Sequence, residues 1–154
     1  MNINEICYLA GLVDGEGTIG IGKVPSMPSR RVFISVSTTT PELINWLQVS
    51  VGGNITQNRP KSETDALAYR WQLTGQKALD LIKTIFPYLR CHNKLARAKL
   101  IIEQYKPVYR GTPVETRKQV ADFELAFMKL SNERKGFMYS DIVLEVYPEL
   151  KVKN

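Results

Sequence analysis

Histidine and cysteine are nearly missing from this sequence: among 154 residues there is one histidine, His92, and two cysteines, Cys7 and Cys91. Neither cysteine belongs to a CxxC pair, so a disulfide scaffold is excluded, and a structural zinc site of the usual kind lacks ligands. Cys91 and His92 are adjacent, which rarely lets a thiol and an imidazole face each other as a nucleophile pair. A reducing, intracellular setting is the default that follows. Long apolar runs are absent too. The one near the start, residues 6–13, lies between Glu5 and Asp14 and is about half of the roughly 20 residues that span a bilayer. No basic stretch precedes it, so it reads as a buried helix and not as an export signal. The chain is expected to be cytoplasmic or organellar, not secreted, with no membrane partner. It holds no internal repeat and no low-complexity tract.

What is present is a core-forming composition with a basic excess. Apolar residues make up 44%, enough to bury a real core, and 21 Lys and Arg stand against 15 Asp and Glu, a net charge of +6. A small basic domain favours a polyanion as partner. The length fits a single domain over residues 1–154.

Local patterns divide the chain. Asn4 is placed to cap a first helix, with Glu5 in its first turn, running to about Asp14 and stopping in Gly15-Glu16-Gly17. Residues 18–23 and 31–38 read as strands; Val32, Ile34 and Val36 alternate with Arg31, Phe33, Ser35 and Ser37. Between them Pro25 and Pro28 mark a long hairpin tip. Thr40-Pro41-Glu42 is a helix-start signal for a second helix ending near Gly52-Gly53. Two further strands, residues 54–58 and 68–74, put Tyr69, Trp71 and Leu73 on one face and Arg70, Gln72 and Thr74 on the other. Helices follow at about 76–86 and 93–105, then a proline- and glycine-containing connector over 106–116. A last amphipathic helix covers roughly 115–130, and Ser140-Asp141 opens a short one that stops at Pro148. The order is helix, two strands, helix, two strands, helix over residues 3–105, with a helical extension over about 115–150. It predicts an α+β fold in which helices pack on one face of an antiparallel or mixed sheet.

The informative stretch is Leu9-Ala10-Gly11-Leu12-Val13-Asp14-Gly15-Glu16-Gly17. Cys7, Gly11 and Gly15 recur every four residues and form one stripe of small side chains. A glycine inside a helix costs about 1 kcal/mol relative to alanine, and close approach of another backbone is the common reason to keep it. Asp14 and Glu16 also gather where a helix ends and its dipole is negative, an unfavourable place for acids unless a cation is present. Taken physically, two readings stay open: a glycine turn with two solvated acids, or a hard oxygen site for a divalent ion such as magnesium. A calcium loop is excluded, since Ile19 occupies its glycine position and Pro25 its bidentate acid.

Residues 9–17 resemble the LAGLIDADG motif of the homing endonucleases. Leucine, alanine, glycine, leucine, the first aspartate and the final glycine match; valine replaces isoleucine, and glycine with glutamate replaces alanine with the second aspartate. The element order over residues 3–105 is also that of the family's αββαββα core. The motif occurs once, and single-motif members act as homodimers, so the resemblance implies that Cys7, Gly11 and Gly15 form a dimer interface between two crossed first helices. It further implies a magnesium-dependent, site-specific double-strand DNA endonuclease that needs no small-molecule cofactor and serves intron homing. Glu16 would be the catalytic metal ligand, the Gly15 carbonyl would help, and Asp14 would brace the turn or touch the metal. Lys94 is the implied basic assistant, with Arg90 and Arg97 as rivals, and Thr38 or its neighbour Thr39 would contact the water network. An intron maturase, or a DNA-binding relative that has lost cleavage, is the alternative, and a domain whose motif only dimerises is a third.

The family lays a saddle-shaped sheet along the major groove, where donors and acceptors distinguish all four base pairs. The outward positions here are Arg31, Ser35, Ser37, Thr56, Asn58, Arg70, Gln72 and Thr74, with Arg70 and Gln72 suited to bidentate base contacts. Lys23, Arg30, Arg59 and Lys61 flank the hairpin loops and are expected on phosphates, which give affinity without sequence information. Residues 90–118 carry eight basic side chains against Glu103 and Glu115, a run that fits either a solvated helix face or proximity to a duplex backbone.

Overall fold

The first helix begins earlier and ends later than its composition suggests. In a computed structural model, which describes residues 1–58, 67–109, 111–130 and 138–153, α1 spans Ile3–Glu16 and its cap is Asn2, not Asn4. The reason is reciprocity. Asn2 Oδ1 accepts the Glu5 N–H at 3.0 Å, and the Glu5 carboxylate accepts the Asn2 N–H at 2.7 Å, a capping box that needs an acid three residues on. Asn4 has Cys7 there. At the other end the Gly17 N–H closes the last turn on the Val13 carbonyl. A Cβ at position 17 would lie 2.6 Å from Val13 Cα, so Gly17 is the glycine the turn requires, and the helix runs on through Gly15 and Glu16.

Strand β1 (Gly17–Gly22) starts directly from this turn, and β2 (Arg31–Thr38) returns beside it. Helix α2 (Pro41–Val51) follows, with Pro41 in its first turn and no side-chain cap from Thr40. Then come β3 (Asn54–Asn58), β4 (Ala68–Thr74), α3 (Gly75–Ile85), a 3-10 turn over Phe86–Tyr88 and α4 (His92–Gln104). The strands form one fully antiparallel sheet in the order β1-β2-β4-β3. Its register puts Ile19 opposite Ile34, Val36 opposite Trp71 and Ile34 opposite Leu73, all on the face that α1 to α4 cover. Those residues are buried together with Leu9, Val13, Ile44, Leu47, Ile82 and Ile101. Only one sheet face carries an apolar row, so only one face takes helices.

Helix α5 (Val114–Leu130) joins this core through Phe123 and Phe127. Its Val120 and Ala121 build a second, smaller cluster with Val108, and with Ile142 and Val143 of α6 (Asp141–Val146), which Ser140 caps. A 3-10 segment over Pro148–Lys153 completes the description. No helix among the described residues is long and apolar enough to cross a membrane.

A buried polar cluster ties this C-terminal part to the β1–β2 connection. Glu124, 1% exposed, accepts the Arg30 backbone N–H at 2.7 Å and the Ser140 hydroxyl, while the Arg30 guanidinium donates to the Met138 carbonyl and lies 3.7 Å from the same carboxylate. Ile142 N–H donates to the Pro28 carbonyl, and Lys23 pairs with Asp141. Burial pushes the Glu124 carboxyl above the usual carboxylate range, outweighing the hydrogen bonds from Arg30 and Ser140 and the Arg30 charge, which pull it down. An acid raised on folding contributes stability that is fully present below its unfolded value, near 4.5, and lost as the pH rises through the folded one. Glu124→Gln, which stays neutral throughout, is therefore expected to gain on the wild type as pH rises from near 4.5 through the higher folded value. Urea midpoints of the two proteins measured across pH check this; a constant difference refutes it.

Candidate active site and nucleic-acid interface

The end of α1 collects the residues singled out by the sequence. Asp14 is half-buried, and its two carboxylate oxygens accept the backbone N–H groups of Arg90, at 2.6 Å, and Cys91, at 3.2 Å. It thus fastens the segment before α4 to the end of α1. With each oxygen accepting a backbone amide, Asp14 braces the two segments against each other. Lys94 Nζ donates to the Asp14 carbonyl. No basic residue lies in the last turn of α1 itself, so Lys94 reaches across from α4 to place a cation at the negative end of that helix dipole. Glu16 is the terminal residue of α1 and is exposed, as is Gly15. One chain thus brings together one free-standing carboxylate, one exposed glycine peptide and one ammonium group.

Thr38 closes β2 at the same end of the sheet, two residues beyond the Val36 that pairs with Gly17. Its Oγ1 accepts the Thr40 N–H at 3.2 Å. Among the described residues no three of His, Cys, Asp or Glu gather into a group that could hold a metal. A cage of protein ligands is therefore not what this helix end offers. Magnesium is commonly held by one or two carboxylates plus waters and substrate phosphates, and Glu16 with the Gly15 carbonyl supplies hard oxygen donors of that kind.

The small-residue stripe is open. Cys7, Gly11 and Gly15 are all exposed, and a Cβ added at Gly11 or Gly15 would meet nothing within 4 Å. Nothing among the described residues therefore explains these glycines. Ile3, 53% exposed, extends the stripe by one turn towards the N-terminus.

The sheet face away from the helices carries Thr18 and Gly20 from β1, Arg31, Phe33, Ser35 and Ser37 from β2, Arg70, Gln72 and Thr74 from β4, and Asn54 and Thr56 from β3, as the cross-strand partners require. Asn58 pairs with Ala68 at the end of β3. Ser37, Thr56 and Thr74 are exposed, Arg31, Arg70 and Gln72 half-buried, and Ser35 only 3% exposed. Arg70 Nη2 donates to Ser35 Oγ at 3.3 Å, Thr56 Oγ1 to the Arg70 carbonyl, and Arg31 Nη2 to Met27 Sδ. Ser35 is therefore reached through Arg70 rather than directly. Lys23 is exposed beside Asp141. Arg30 is corrected: at 8% exposed and bonded into the Glu124 cluster, it is a structural cation and not a phosphate contact. Arg59 and Lys61 lie outside the described residues. Thr18 and Asn54 join this face through their cross-strand partners Ser35 and Gln72, which no single strand discloses, whereas alternation along β2 already put Phe33 there.

Comparison with solved structures gives one consistent answer. The homing endonuclease I-CvuI, in complex with its target in the presence of calcium, matches with a TM-score of 0.68 at 20% identity, over 96% of this chain and 95% of that one. The archaeal intron-encoded homing endonuclease I-Vdi141I, complexed with DNA, matches at 0.61 and 12% identity over 97% and 98%. This chain has the LAGLIDADG homing-endonuclease fold. The LAGLIDADG meganuclease I-CpaMI, bound to uncleaved DNA, matches at 0.55 and 14% identity, with 96% of this chain laid on 49% of that one. Neither a protein-family model nor a curated protein matches the sequence. In the LAGLIDADG fold seen here, residues 9–17 form the second half of α1 and its turn into β1, with Glu16 at the helix end.

Proposed function

We propose that this chain is one protomer of a homodimeric, magnesium-dependent endonuclease that cleaves both strands of a long, nearly palindromic DNA site. The observation that carries the reading is the pairing of an exposed Glu16 at the end of α1 with an unfilled Cys7–Gly11–Gly15 stripe along the same helix. Crossing two copies of α1 at Gly11 covers the stripe and brings a carboxylate from each chain to one centre. The match to about half of I-CpaMI supports a two-copy assembly, and the DNA bound by the structural neighbours supports a duplex as the ligand.

In this assembly each Glu16 carboxylate, with the Gly15 carbonyl, would hold magnesium. When bound, the ion would lower the pKa of an attacking water and stabilise the leaving oxygen of a scissile phosphodiester. Asp14 keeps α1 and the start of α4 in register, so Glu16 projects from a rigid end. Lys94 holds positive charge beside this end, where it favours the approach of a phosphate. The Thr38 hydroxyl, whose oxygen already accepts an amide, retains its proton to orient a water. Arg31, Ser37, Thr56, Asn58, Arg70, Gln72 and Thr74 face the major groove, and Lys23 approaches the backbone.

Incubating the protein with a library of duplexes, with magnesium and with a chelator, tests the reading. Cleavage of a narrow set of sites spanning about two helical turns, in magnesium only, is the expected result. No cleavage, together with tighter binding to structured RNA than to duplex DNA, overturns it in favour of a maturase.

A further inference from the structure

Phe33 is a large apolar side chain on the one sheet face that the helices leave open. Its Cα partners are Gly20 on β1 and Thr74 on β4. A Cβ at Gly20 would lie 2.8 Å from Phe33 Cζ, and one at Gly22 would lie 3.5 Å from Cδ1. The ring therefore lies over β1, taking the space that a side chain at Gly20 would need and leaving ordinary contact room at Gly22, and Gly20 is buried. The Arg70 guanidinium carbon stands 5.8 Å from the centre of this ring, within the range of a cation–π contact. Its Nη2 donates to Ser35 Oγ at 3.3 Å, and its Nε is buried with no hydrogen-bond partner. Among the described residues no carboxylate pairs with Arg70. Arginine on an open strand face ordinarily samples many rotamers. Here ring and hydroxyl hold it without neutralising it.

We propose that Phe33 is a positioning residue for base recognition: it fixes the Arg70 fork so that Arg70 reads a guanine through O6 and N7 in the major groove. This rests on the DNA-binding reading above. The planar fork matches that edge bidentately, and a fork already held loses less freedom on binding. Gly20 belongs to the same device, because any side chain there would lift the ring.

Base preferences measured position by position, on the site recovered from a duplex library, provide the test. Arg70→Lys should lower the guanine preference at one base pair of each half-site by about tenfold or more. Phe33→Leu, which stays apolar and fits a strand, should lower preference at that same base pair by about three- to tenfold, with preferences at the other positions unchanged. Gly20→Ala should reproduce the Phe33→Leu profile with the phenylalanine still in place. An unchanged guanine preference in Phe33→Leu and Gly20→Ala overturns the proposal, and so does a uniform loss at every position, which is the mark of a purely structural role. If the wild type binds no duplex, the underlying DNA reading fails first. If it binds and cleaves selectively while these two variants keep its profile, only the role of Phe33 fails.

Discussion

Glu16→Gln should lower single-turnover cleavage by about three orders of magnitude or more, with duplex affinity unchanged or slightly raised. A metal centre contributes several kcal/mol of transition-state stabilisation, and each 1.36 kcal/mol is tenfold in rate. Glutamine keeps the length and one oxygen of the side chain but removes the charge that would hold the ion. Glu16 is exposed and ends α1, so the fold loses no packing. Removing a negative charge from a surface facing phosphates does not weaken binding. Cleavage in magnesium, and binding in calcium to suppress turnover, separate the two effects. Continued cutting by Glu16→Gln would remove this residue from the centre. Loss of binding in parallel with cleavage would mean that Glu16 serves structure and not chemistry.

Gly11→Leu is expected to abolish dimerisation while leaving the isolated chain as stable as before, or more so. A Cβ at this position meets nothing within 4 Å among the described residues, and leucine is better than glycine inside a helix by up to about 1 kcal/mol. Two α1 helices crossing at Gly11 have no room for a leucine from each side, since small residues are what allow close backbone approach. Sedimentation should show a monomer, thermal melting an intact fold, and DNA cleavage should fall, since the proposed centre draws a carboxylate from each of two chains. A leucine variant that still dimerises moves the interface off this face. One that unfolds assigns Gly11 to packing inside the chain.

Much of this protein is legible along the sequence, for a local reason. Alternation in β2 and β4 marked both faces of the sheet, because a strand repeats every two residues and one face must be apolar to meet the helices. The turn after α1 was legible because glycine and carboxylates at a helix end are locally costly. Even there, the glycine required by sterics is Gly17, and the cap is Asn2. Those details depend on which groups reach each other across a turn, which composition alone does not order. The limits of local reading show best at Arg30. A cation beside a hairpin tip reads as a phosphate contact until Glu124, 94 residues away, is found beneath it. Asp14 is a similar case, since its amide partners come from Arg90 and Cys91.

The order of elements, the apolar rows and the acid at the end of the first helix are therefore written in the chain itself, as consequences of periodicity and backbone chemistry between near neighbours. Tertiary packing alone decided which charges face outward, which amides Asp14 holds, and that Phe33 lies over Gly20 beside Arg70. Those outcomes depend on side chains brought together from strands and helices distant in sequence. Burial and hydrogen bonding there are properties of the assembled layers and of no single segment.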